Sequence, residues 1–165
     1  MFGGSHYAWT LFALNRTNEA AAKLEEILKL DQKNNPGAED DTGELAGMMA
    51  LLMAAAGDVA GAEAQIKSAA SKKNGYGEFH HTAYFIAAAY ARLNNRMEAM
   101  KWLKETVDTG FPCYVLFRDD PNLHNLREPP FPAFQEFLNE QKKAWLKRKD
   151  AWFKVNAVSG RTPQR

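Results

Sequence analysis

Three segments of the chain repeat one pattern of small and large apolar residues. Two positions of the pattern hold alanine in every copy, and three positions hold a large apolar residue in every copy. The alanine positions are Ala8, Ala50 and Ala87, and Ala20, Ala62 and Ala99. The large apolar positions are Tyr7, Met49 and Ile86; Leu11, Met53 and Tyr90; and Leu24, Ile66 and Leu103. Because a short repeat cannot bury its apolar face alone, we expect the copies to stack on one another.

Each copy is predicted to form two helices joined by a short turn. Apolar residues recur three and four positions apart, as at Leu11 and Leu14, which is typical of a helix with one buried face. A turn residue separates the two halves: Asn15, Gly57 or Asn94. The composition agrees, because 26 alanines stand against five valines and three isoleucines, the residues that sheets favour. The sequence therefore predicts an all-α fold of helical hairpins, whose facing alanines let the helices approach closely.

The third copy resembles the tetratricopeptide repeat (TPR) family. Its small, bulky and turn positions match the family signature; they are Ala87, Tyr90, Asn94, Ala99 and Leu103. The resemblance implies a TPR-like α-solenoid within residues 1–110, with three hairpins over about 5–33, 42–73 and 78–109. Gln32 stands where the family usually has a closing proline, and the aligned alanines at 20, 62 and 99 are 42 and 37 residues apart instead of about 34. A loop at 34–41 rich in Gly, Pro, Asn and Asp accounts for the longer interval.

A second resemblance covers residues 110–138, which look like the segment that follows the last repeat in many bacterial TPR proteins. Asp120 is expected to cap a short helix that has Pro121 at its first position. A long amphipathic helix should then run from about 133 to about 155. The resemblance implies that residues 111–155 cap the third hairpin, because the end of a solenoid needs a cover. Residues 156–165 are expected to be a disordered tail.

Charge and targeting signals exclude several classes of function. The formal net charge is +1, so the whole molecule has no field that would attract nucleic acid, and a nucleic-acid partner is not expected. The single cysteine, Cys113, excludes an intramolecular disulfide. Neither a signal peptide nor a membrane span is visible in the sequence. We therefore expect a cytoplasmic protein, although a longer parent protein could be exported or attached to a membrane.

Basic residues are concentrated at the C-terminal end. From Asn139 onward there are eight Lys and Arg residues against Glu140 and Asp150. Tryptophans at 145 and 152 lie between the lysines, a pattern that could bind nucleic acid or an anionic membrane surface. The favoured interpretation is a solvated helix face whose tryptophans pack on the preceding hairpin.

The residues with chemical potential form no convincing catalytic pattern. His80 and His81 are adjacent, and neighbours on a helix project about 100° apart, so a metal would need a ligand from elsewhere. Cys113 has no histidine near it in sequence and is expected to be a small buried residue. The sequence therefore predicts no catalytic residue, no cofactor, no metal site and no enzymatic activity.

The TPR resemblance implies a binding groove lined by the first helix of each hairpin. Six residues are the candidates for contacting a peptide: Trp9, Phe12, Leu51, His81, Tyr84 and Arg92. Alternatively, Trp9 and Phe12 pack against an upstream domain or another copy of the chain. The predicted function is a non-catalytic protein interaction or scaffold module, the C-terminal TPR portion of a larger bacterial protein. Two alternatives remain: a regulatory or ligand-binding domain of an enzyme, and a structural role with self-association through the first hairpin.

Overall fold

The computed structural model describes residues 4–34, 42–73 and 79–158. Within these ranges the chain is all-helical and contains no strand, which confirms the predicted all-α class. The first six helices are α1 (Gly4–Ala13), α2 (Thr17–Asn34), α3 (Glu44–Ala56), α4 (Val59–Ala70), α5 (Phe79–Arg92) and α6 (Arg96–Asp108). They are followed by α7 (Tyr114–Asp119), a 3-10 turn (Pro121–Leu123), α8 (His124–Arg127) and α9 (Pro132–Val158). Among the described helices, none combines the length and the apolar character that crossing a bilayer requires.

The first six helices form three consecutive pairs, each joined by the same tight turn. The predicted turn residues Asn15, Gly57 and Asn94 adopt a left-handed backbone, with φ of 61°, 81° and 59°. Glycine and asparagine tolerate this conformation better than other residues, which explains their place at the ends of helices. In each turn the next N–H donates to the carbonyl five residues back, at 2.9 Å in all three pairs. The accepting residues are Leu11, Met53 and Tyr90, which occupy one aligned position of the repeat.

The aligned alanines lie in the core of the helical pairs. All six have an exposed fraction of 0%, and the helices within each pair are in contact: α1 with α2, α3 with α4, and α5 with α6. Contacts also join successive pairs, because α1 and α2 both contact α3, and α3 and α4 both contact α5. A larger side chain at any of these alanines would have to displace a neighbouring helix.

Side-chain caps fix the start of two of the second helices. The Asp58 carboxylate accepts the N–H of Gly61 at 2.9 Å at the start of α4. The Asn95 side chain accepts the N–H of Glu98 at 3.3 Å at the start of α6. These bonds satisfy N–H groups that have no partner within the helix, and each is worth about 1 kcal/mol.

The chain divides into two compact units, Met1–Phe111 and Pro112–Arg165. In the second unit, α7 and α8 both contact α9. The Asp120 carboxylate accepts the N–H of Asn122 at 2.7 Å, and Pro121 follows at the first helical position, which confirms the predicted cap. Arg127 donates to the carbonyls of Arg118 and Asp120, at 3.0 and 2.7 Å, and so holds this short helical segment together.

The basic and aromatic side chains of α9 from 146 to 155 are exposed, whereas Trp145 is half-buried. Trp145 contacts the Tyr114 ring, with centroids 5.8 Å apart. Trp152 is 53% exposed, which agrees with the expected solvated face of this helix. The sequence predicted a disordered tail at 156–165. Its first three residues belong to α9, which continues through Val158, and 159–165 lie outside the described residues.

Candidate functional site

Aromatic side chains from α1 and α5 meet in the first unit. The Trp9 ring centroid lies 5.6 Å from that of Tyr84 and 5.3 Å from that of Phe85. The backbone of α3 approaches the same rings, because a Cβ added at Gly47 would lie 3.3 Å from the Phe85 Cβ. Glycine at this position lets α3 and α5 pack closely. The rings therefore belong to an interior that three helices share.

This packing corrects two of the predicted groove residues. Leu51 and Tyr84 each have an exposed fraction of 0%, so a peptide on the surface could contact neither side chain. The physical reason is the close approach of α1, α3 and α5, which places Trp9 directly against Tyr84. Trp9 itself is half-buried and packs on α5 of the same chain. The expected neighbour of Trp9 was a bound peptide, an upstream domain or another copy of the chain.

The other predicted groove residues differ in accessibility. Phe12 is 8% exposed, and the Arg92 guanidinium lies 5.4 Å from the centroid of its ring. A cation over an aromatic face is attracted by the ring's quadrupole. Arg92 is exposed and His81 is half-buried, so both side chains remain accessible to a ligand.

His81 belongs to a cluster of three potential metal ligands that the sequence did not predict. Ligand atoms of His6, Glu44 and His81 all lie within 4.8 Å of one another. The His6 Nδ1 is 3.3 Å from the Glu44 Oε1, and the His6 and His81 rings meet edge to face with centroids 4.6 Å apart. The two histidines are half-buried, while Glu44 is 7% exposed. The neighbours of His81 along the chain do not complete this cluster, because its partners come from α1 and α3.

Glu44 is held in place by the residues just before it. The hydroxyl of Thr42 accepts the Glu44 N–H at 3.2 Å, and Gly43 between them occupies the N-cap position of α3. The hydroxyl of Thr82 on α5 donates to the Thr42 carbonyl at 2.9 Å. Gly43 adopts a left-handed backbone with φ of 69°. The start of α3 is thus tied to the helix that carries His81.

Aromatic rings border the cluster on two sides. The Trp9 ring centroid is 6.4 Å from that of His6, and the Phe111 ring centroid is 5.3 Å from that of His81. His80 stacks on Phe111 at 5.7 Å with an angle of 16° between the planes, and its ring centroid is 4.3 Å from that of His81. Apolar neighbours of this kind limit the access of water to polar groups between them.

A separate cleft lies between α2 and α3, beside the turn that leads into α4. Its volume is about 320 Å³. Most of the lining side chains are apolar, and two are methionines. The lining residues are Thr17, Asn18, Ala21, Leu24, Glu25, Met49, Leu52, Met53, Ala56 and Asp58. None of the six predicted groove residues is among them.

The remaining candidates have simple structural roles. Cys113 is half-buried just before α7, and Asp120 serves as the cap described above. Asp119 pairs with Arg118, and this hydrogen bond holds the pKa of the Asp119 carboxyl below its usual value. None of these side chains joins the His6, Glu44 and His81 cluster.

The chain matches no protein-family model, and comparisons with curated proteins and with solved structures likewise find no match.

Proposed function

We propose that the chain is a non-catalytic protein interaction or scaffold module of the TPR type. The observation that carries the proposal is the threefold recurrence of one hairpin. Each copy has a left-handed turn residue, the same 2.9 Å hydrogen bond at the turn and two fully buried alanines. Repeats of this kind stack into extended surfaces that bind other proteins.

The contacts between the pairs support a solenoid arrangement. Each first helix contacts the first helix of the next pair, and each second helix also contacts that same helix. These contacts join neighbouring pairs, as in a solenoid, and the Trp9 ring of α1 also reaches the Tyr84 and Phe85 rings of α5 in the third pair. The capping role of residues 111–155 stays a prediction.

The cleft between α2 and α3 is the surface that best suits a partner. Its volume of about 320 Å³ is near the lower end of the range for ligand pockets, which fits one large apolar side chain. Met49 and Met53 line it, and methionine adapts its shape to different apolar partners. We therefore propose that the module binds a peptide segment that inserts a large apolar or aromatic side chain into this cleft.

The test is selection from a random peptide library displayed on phage, followed by affinity measurements with the selected peptides in solution. The full chain should select peptides that share a large apolar residue. The Met53→Glu variant, which puts a carboxylate into the cleft, should bind these peptides at least tenfold more weakly. Met97→Glu is the matched control, because Met97 is 72% exposed on α6 and lies outside the cleft.

Two results would contradict the cleft as a binding site. One is a selection that yields no peptide with measurable affinity for the unmodified chain. The other is a set of peptides whose affinity falls equally in the Met53→Glu and Met97→Glu variants. Circular dichroism of both variants shows whether each is folded before its affinity is compared.

Self-association through the first pair is a second candidate, favoured by its exposed apolar side chains. Tyr7 and Leu14 are 52% and 62% exposed on this pair. Exposed apolar side chains on one surface favour contact with another copy of the chain. Light scattering should then give a mass that rises with concentration, and the rise should disappear in a Tyr7→Lys, Leu14→Lys variant. A monomeric mass at all concentrations would exclude this role.

A further inference from the structure

We propose that His6, Glu44 and His81 form a binding site for a divalent transition-metal ion of the zinc type. Two imidazoles and one carboxylate are present, and their ligand atoms lie within 4.8 Å of one another. Zinc takes these ligands at about 2.0–2.2 Å in a tetrahedral arrangement. Such ligand atoms are about 3.4 Å from each other, so the 3.3 Å between His6 Nδ1 and Glu44 Oε1 already fits.

The ligand types indicate which ions the site would select. Imidazole nitrogen is a good ligand for zinc, copper, nickel and cobalt, whereas calcium and magnesium prefer sets made only of oxygen. Three protein ligands leave a fourth tetrahedral position for a water molecule. The site is therefore expected to bind zinc in preference to magnesium or calcium.

The burial of Glu44 supports a cation at this place. An ionised carboxylate that leaves water loses solvation, and it is stable when it is paired or bound to a metal. Glu44 is 7% exposed, and its carboxylate lies within 4.8 Å of ligand atoms of two half-buried histidines. The threonine contacts between Thr42 and Thr82 hold the carboxylate close to His81 before any ion binds.

The ligands come from three different helical pairs. His6 is on α1, Glu44 on α3 and His81 on α5, so one ion would link the first helices of all three pairs. An ion that binds only the folded arrangement stabilises it by mass action. Zinc should therefore raise the melting temperature of the chain, and it should slow hydrogen exchange in α1. This role is independent of peptide binding in the cleft.

The experiment titrates the full chain, free of affinity tags and of metal, with zinc ion by isothermal calorimetry. We expect one ion per chain. His6→Gln, Glu44→Gln and His81→Gln should each weaken zinc binding by at least about tenfold, since even substitutions next to metal ligands have effects of that size. His124→Gln is the control, because His124 is exposed and does not belong to the cluster, and this variant should bind zinc like the unmodified chain.

Cobalt gives a second readout at the same site. Cobalt bound in four-coordinate geometry absorbs strongly in the visible range, and it should quench the fluorescence of Trp9, whose ring is 6.4 Å from that of His6. Both signals should be lost in the His81→Gln variant. The His6→Gln and Glu44→Gln variants should also give weaker signals than the unmodified chain.

Several outcomes would overturn the proposal. They are the absence of zinc binding to the unmodified chain, unchanged affinity in the His6→Gln and His81→Gln variants, and an equal loss in the His124→Gln control. Should the Glu44→Gln chain fail to fold, the histidine variants still decide, because both histidines are half-buried and their replacement leaves the core intact.

Discussion

Replacing Gly43 by alanine should lower the free energy of unfolding by about 2–5 kcal/mol. The φ of 69° at Gly43 costs a residue with a Cβ about 1–2 kcal/mol. The added Cβ would also lie 2.7 Å from the carbonyl oxygen of Ala69 and 3.1 Å from its Cα. Those are backbone atoms at the end of α4, which cannot rotate away, and overpacking of this kind adds about 1–3 kcal/mol.

Gly57→Ala is the matched control for this prediction. Gly57 has a similar φ of 81°, but an added Cβ would meet no atom within 4 Å. This variant should therefore lose only the backbone contribution of about 1–2 kcal/mol. The free energies are measured by urea unfolding followed by far-ultraviolet circular dichroism. Equal losses in the two variants would refute the close packing of Gly43 against the end of α4.

Two further predictions concern the repeat and a surface ion pair. Ala62→Leu should destabilise the chain by about 1–3 kcal/mol in thermal unfolding, because Ala62 is fully buried. Ala60→Leu, on the exposed side of the same helix, should have little effect. Similar losses of stability in the two variants would contradict a role of Ala62 in close helix contact. Arg16 donates to the Glu19 carboxylate at 2.7 and 2.6 Å, and these bonds hold the pKa of Glu19 below 4.5. The associated stabilisation should be present above that ordinary pKa and should be lost as the pH falls through the lower pKa of the folded chain. A carboxyl titration by NMR in which Arg16→Gln leaves the pKa of Glu19 unchanged would exclude this cause.

The helices and their turns could be predicted from the sequence because both are local properties. Apolar spacing indicated the helices, and the aligned residues Asn15, Gly57 and Asn94 indicated the turns that the backbone adopts. Asp120 was also predictable, since a cap depends on residues two or three positions away.

The groove was less predictable, because exposure depends on how closely the helical pairs approach. Tyr84 and Leu51 are at positions that an open groove would expose, and the contact of Trp9 with α5 buries Tyr84 instead. The glycine that permits this approach, Gly47, is one residue in a long apolar run and gives no distinct signal. Packing between helices that are far apart in sequence therefore decides which of the predicted groove residues are exposed.

The ligand cluster did leave a signal in the sequence. Glu44 and His81 both stand six residues before an aligned alanine, Ala50 and Ala87, so they occupy the same position of the repeat. Equivalent positions in stacked repeats lie side by side. This shared position predicts that Glu44 and His81 are neighbours, although they are far apart along the chain. His6 stands only two residues before its own alanine, Ala8, about one helical turn later in the repeat than Glu44 and His81. Its place in the cluster therefore follows from the three-dimensional arrangement and not from the repeat.

The central claim is that the first helices of the three pairs meet in one shared interior. Nuclear Overhauser measurements on the full chain test it most directly, through the ring protons of Trp9 on α1 and those of Tyr84 and Phe85 on α5. The centroid distances of 5.6 and 5.3 Å predict cross-peaks from the Trp9 indole to both rings. Assigned resonances for all three rings without any cross-peak between Trp9 and α5 would contradict the claim.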